Sequence, residues 1–113
     1  MSHDLAYLLD ILIYAKDARE FTTAMDKTTF FSDHQCQLAV IRCLEVMGEA
    51  VKRLSLEIQK VHPEISWSKI AKMRDLLIHA YNRVDLEEIW NTVKSDLPPL
   101  IAALEQILPP KQE

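Results

Sequence analysis

Four residues in the stretch "RDLLIHAY" are equipped for chemistry: Arg74, Asp75, His79 and Tyr81. A histidine near its ordinary pKa gives or takes a proton at neutral pH. An arginine offers an anion a planar fork whose charge is permanent, and phosphate fits that fork well. Asp75 lies one helical turn before His79, so its carboxylate can hold the imidazole in one tautomer. Tyr81 carries a hydroxyl, although its spacing alone better suits a plain core residue of an amphipathic helix. None of the polar residues is needed for the stretch to be helical.

The element that must position them is a helix from about Trp67 to Ala80. Ile70, Met73, Leu76, Leu77, Ala80 and Tyr81 define its apolar arc. Asp75 and His79 fall on the opposite, polar side, and Arg74 sits at the edge of the apolar arc. A guanidinium there needs an anion, an aromatic face or a second subunit. Arg74 and His79 point about 140° apart on one helix, so a single copy does not close both around one atom. Two such helices meeting about a two-fold axis do, which leads us to expect an isologous homodimer.

The rest of the chain also reads as helix. It has one glycine and no alternating apolar pattern bounded by turn residues, so strands have little support. A first helix is expected from Asp4 to Arg19, with Leu5, Leu8, Leu9, Leu12 and Ala15 along its buried face. Residues 21–35 read as a connection, with Ser32 or Asp33 capping the next helix. That long second helix, from Asp33 to Lys60, carries Val40, Leu44, Met47, Val51, Leu54, Ile58 and Val61 in heptad steps. Pro63 ends it. After the motif helix, Asp85 as N-cap and Glu88 three residues on announce a last helix, which Pro98 and Pro99 kink rather than end. The fold class is therefore all-α: one up-and-down bundle and a single domain over residues 1–113. Gly48 costs its helix about 1 kcal/mol relative to alanine, a cost that close approach of another helix can offset.

Composition excludes several classes. Of 113 residues, 49% are hydrophobic and 27% charged, the balance of a folded soluble chain rather than a disordered one. No run approaches the roughly 18 apolar residues needed to cross a bilayer. "MSHDLAYLLD" lacks a basic leader pattern, and Cys36 and Cys43, about 10 Å apart along one helix, are too far apart for a disulfide. Both read as buried thiols of a cytoplasmic protein. The net charge is −4, yet residues 42–83 hold eight Lys/Arg against five Asp/Glu. A basic middle between acidic ends is compatible with a local phosphate-binding face. His3, His34 and His62 have no ligand spacing, so no metal is expected, and no Gly-rich phosphate loop suggests a nucleotide cofactor.

Arg74, four residues, His79, one residue, Tyr81 is the Arg-x4-His-x-Tyr pattern, and here the chain resembles the HepT toxins of the HEPN superfamily. "AVIRCLEVMGEAVKRLS", "ISWSKIAKMRDLLIHAY" and "VDLEEIWNTVKSDLPPL" are similar to the corresponding helices of that family. The resemblance implies a HEPN-type bundle of four to five helices that dimerises, and a metal-independent endoribonuclease acting on tRNA or mRNA. It implies a toxin–antitoxin pair whose partner is an MntA-like nucleotidyltransferase that transfers AMP to Tyr81. Arg74 and His79 would be the catalytic pair and Asp75 their support. The alternative is a non-enzymatic HEPN dimer that docks the nucleotidyltransferase and only presents Tyr81.

Overall fold

The computed structural model describes residues 3–79 and 85–108, with His79 described by its backbone alone. The described residues form seven α-helices and one π-helical turn, with no strand. They are α1 (Asp4–Phe21), α2 (Lys27–Ser32), α3 (His34–Arg53), α4 (Leu56–Val61), α5 (Trp67–His79), α6 (Leu86–Asn91), the π turn (Thr92–Asp96) and α7 (Leu97–Ile107). Helix α1 packs between α3 and α7, and α5 packs on the other side of α3. The architecture is the expected all-α bundle, but with more and shorter helices than the apolar period alone suggests.

Two local devices account for the extra helices. Within residues 21–35, Asp26 accepts the Thr29 N–H at 2.8 Å and starts α2, whose Phe30 is fully buried against Trp90. Asp33, as expected, caps α3 by accepting the Cys36 N–H. The long second helix, by contrast, stops at Arg53. Ser55 turns the chain into extended backbone, caps α4 by accepting the Ile58 N–H, and is itself held by Asp4, whose carboxylate accepts both its N–H and its hydroxyl. A cap and a tertiary hydrogen bond outweigh the heptad pattern. Val40, Leu44, Met47, Val51 and Leu54 are buried as the seam requires, while Val61, beyond the break, is 63% exposed.

The phase of α1 also differs from expectation. Leu8, Ile11, Ala15 and Ala18 are buried, whereas Leu5 and Leu9 are exposed. Apolar residues occur almost all around this helix, so period alone leaves its rotation open. Both alanines are fully covered, since α1 must fit between two neighbours and small side chains permit close approach. On α5, Trp67, Met73 and Leu77 are buried, but Leu76 is exposed and departs from the apolar arc.

Pro98 and Pro99 do not end the last helix. Prolines cannot donate back to the preceding turn. The chain widens instead, and the Leu97 N–H bonds to the Thr92 carbonyl five residues back. Within that π turn, Lys94 donates to the Thr22 carbonyl at 2.7 Å and stacks over Trp90, tying the turn to the end of α1. Cys36 and Cys43 are free, buried thiols, and burial pushes Cys43 up to about 11. No helix among the described residues is long and apolar enough to cross a membrane.

Candidate functional site

The site begins with the lone glycine. A Cβ built on Gly48 would lie 2.1 Å from the Arg74 Cβ, 2.9 Å from its Cγ and 3.1 Å from the Ile70 carbonyl oxygen. Helices α3 and α5 thus cross in near backbone contact, and only glycine leaves room for it. The crossing lays the base of the Arg74 side chain across Gly48 and sends the guanidinium out along α3, where the next residue is Glu49.

Alternating charge organises the surface around the crossing. Arg74 Nη2 is 3.0 Å from Glu49 Oε1, and Nη1 is 3.5 Å from Asp75 Oδ1. The second oxygen of Glu49 accepts from Arg53 Nε at 3.1 Å, and Asp75 is paired with Lys52 across the two helices. Along the surface the row runs Arg53, Glu49, Arg74, Asp75, Lys52, each sign opposite to the last. The Lys52 bond, and then Arg74, hold the Asp75 carboxyl below the usual aspartate range. Arg53 is stabilised as a cation first by the Tyr7 hydroxyl and then by Glu49. A cleft of about 640 Å³ opens over the Arg53–Glu49–Arg74 part of this row, lined also by Tyr7, Asp10 and Arg42 among others. The Arg74 side chain retains 27% of its exposure, so part of its fork faces that cleft.

Of the other motif residues, Asp75 and His79 lie on α5. His79 is its last residue, five positions beyond Arg74 and about 140° around the axis. The expected Asp75–His79 contact involves a side chain outside the described atoms, and Tyr81 lies outside the described residues altogether. The carboxylate of Asp75 is engaged on the α3 side by Lys52 and Arg74. A second groove, of about 230 Å³, lies between the first half of α5 and α7. Its walls are mostly apolar, including Leu44, Met47, Ile70, Met73 and Leu100, and it shares no lining residue with the charged cleft. Among the described residues, no cluster of three or more His, Cys, Asp or Glu could hold a metal ion.

Sequence reasoning singled out Gly48 and Arg74 separately but did not pair them, and it missed Glu49, Lys52 and Arg53. The Glu49–Arg53 pair at i, i+4 was a visible signal. What joins it to Arg74 is the crossing, which no spacing reveals.

The sequence is similar to several known proteins. Residues 11–107 match the sequence profile of the family described as ribonuclease HepT-like. The chain is 44% identical over 101 residues to a protein of Thermococcus cleftensis named "Probable ribonuclease HepT", covering 89% of this chain and 92% of that one. It is 42% identical over 108 residues to a Methanocaldococcus jannaschii protein provisionally named as an RNase, covering 96% and 93%. A second M. jannaschii protein with a provisional RNase name is 41% identical over 103 residues, covering 91% and 85%. No solved structure matches significantly.

Two outcomes are expected. In an open helix Gly48→Ala would gain about 1 kcal/mol of stability. Here the obstructing atoms are backbone and the root of a side chain, so it should instead destabilise by about 1–3 kcal/mol in urea unfolding. For Asp75 the sign comes from its lowered pKa: its contribution is present above the ordinary value of 3.8 and is lost as pH falls through the lower folded value. Asp75→Asn should melt below the wild type at pH 7, and the gap should close in acid, below 3.8.

Proposed function

Because the chain belongs to the HepT-like ribonuclease family, we propose that it is a metal-independent endoribonuclease and the toxin of a toxin–antitoxin pair. The observation that carries this reading is Arg74. Its guanidinium is partly desolvated, held by carboxylates, and presented to a cleft by a glycine crossing five residues ahead of His79. That is costly construction for a bundle with no anion to meet.

In the proposed reaction a base takes the proton of an RNA 2′-hydroxyl, and the freed oxygen attacks the adjacent phosphorus. The 5′-oxygen leaves and takes a proton, so the products are a 2′,3′-cyclic phosphate and a 5′-hydroxyl. His79 serves as the proton carrier, a role worth on the order of 10²–10⁴-fold. Arg74 stabilises the charge on the pentavalent phosphorane through its remaining donors. Asp75, hydrogen-bonded to Arg74, supports the pair. The divergence of Arg74 and His79 on α5 supports a homodimer in which two α5 helices near the axis build one composite cleft. The substrate is tRNA or mRNA in the cytoplasm, and no cofactor takes part.

Control falls to an MntA-like nucleotidyltransferase antitoxin. The Tyr81 oxygen attacks the α-phosphorus of ATP held by the partner, pyrophosphate leaves, and AMP remains on the tyrosine. Its phosphate, with the negative charge a phosphate carries, would then compete for Arg74.

Arg74→Ala and His79→Ala should each abolish the appearance of cyclic-phosphate ends while leaving the helical circular-dichroism signal nearly unchanged. EDTA should not slow the wild type; loss of cleavage on chelation would sink the metal-free mechanism. Tyr81→Phe should cut RNA yet resist inactivation by the partner and ATP, with intact mass showing added AMP on the wild type alone. Mass added equally to both would remove Tyr81 as the acceptor, and a wild type that accepts AMP without ever cutting RNA would favour the docking module instead.

A further inference from the structure

Beyond the motif, one residue of the charged row has a geometry that its neighbours lack. The stem of Arg74 is pinned against Gly48 as far as Cγ, so the guanidinium's direction depends on what holds its tip. Two carboxylates are near. Asp75 is 3.5 Å from Nη1, at the limit of a hydrogen bond, and is principally engaged by Lys52. Glu49 Oε1 is 3.0 Å from Nη2, an ion pair closer than the one to Asp75. Glu49 is itself fixed: it comes directly after Gly48 at the crossing, and its other oxygen accepts from Arg53 one turn on. Each of its oxygens therefore serves one arginine, and the contact with Arg74 uses a single oxygen. A guanidinium has five N–H donors, so this grip leaves donors for a phosphate.

We infer that Glu49 is a positioning residue, which aims the Arg74 guanidinium into the cleft through Nη2 while Arg53 anchors its second oxygen. The kinetic part of this inference rests on the ribonuclease reading above. Its competitor is that Glu49 occupies the phosphate's place on Arg74 and must be displaced by substrate. The two make opposite demands. A positioning carboxylate acts in the transition state, so its loss lowers kcat; a competing carboxylate acts on binding, so its loss lowers KM.

The test uses the full-length protein and a 5′-labelled single-stranded oligoribonucleotide. Glu49→Gln should lower kcat roughly 10- to 100-fold, the range a small misplacement of a catalytic group produces. KM should stay within about twofold. Glu49→Asp, which keeps the charge on a shorter stem, should recover part of the loss. The ion pairs of Glu49 are exposed and each contributes little stability, so either variant should remain folded, with a melting temperature lowered by a few degrees at most. A second readout does not require activity: nitrogen-15 spectra of the Arg74 guanidinium, assigned with Arg74→Lys. Restricted rotation should give separate Nη signals in the wild type, merging in Glu49→Gln. An unchanged kcat, a fall in KM with kcat maintained, or unaltered Arg74 signals would each overturn the inference. A wild type that cuts no RNA would sink the ribonuclease reading, while the guanidinium spectrum would still decide whether Glu49 holds Arg74.

Discussion

The contact between Gly48 and Arg74 is the constraint on which the rest of the site depends. With a hydrogen where any other residue has a Cβ, α3 lets α5 approach until the Ile70 carbonyl and the Arg74 stem lie over its backbone. Everything charged at the site is then a matter of which residues flank the crossing. Glu49 and Lys52 are on α3, Arg74 and Asp75 on α5, and the approach is what brings these opposite charges together.

Stability is a poor explanation for this row. Exposed ion pairs contribute about 0–1 kcal/mol each, and every partner of Arg74 retains more than two-fifths of its exposure. What the row supplies is direction. Long charged side chains lose rotamer freedom only when several contacts share the cost, and an alternating series restrains each member from both sides. Glu49 lines the cleft beside Arg53 and Arg74, so the surface there is of mixed charge. On the proposed function, an anion that enters would meet a guanidinium oriented beforehand, with negative charge nearby.

The remainder of the bundle keeps α3 in place under that crossing. Asp4 and Ser55 fasten the end of α3 to the start of α1, and Lys94 in the π turn fastens the end of α1 to the last helices. Gln37, buried at the start of α3, donates to the carbonyls of Phe30 and Phe31 and closes off the end of α2. Each is a polar group satisfied at a helix end, where orphaned N–H and C=O groups must find partners. The joints are therefore specified by hydrogen bonds, and the faces between them by apolar packing.

The all-α class, the helix bearing the motif, the caps at Asp33 and Asp85 and the continuation of the last helix past the two prolines were legible in the residues, because period and capping are local properties. So was the oddity of Gly48 and Arg74. The stop at Ser55 was not, since its hydroxyl and N–H are held by Asp4, fifty-one positions earlier in the chain. The rotation of α1 was not either, because a helix apolar on most sides has no single face until its neighbours choose one. Nor was the pairing of Glu49 with Arg74 visible, because that ion pair exists only where two helices cross within reach of a missing Cβ. Sequence alone determined which residues were chemically unusual; tertiary structure decided which of them touch, because contact depends on the distance and angle between helices, and these are set by packing across the whole core.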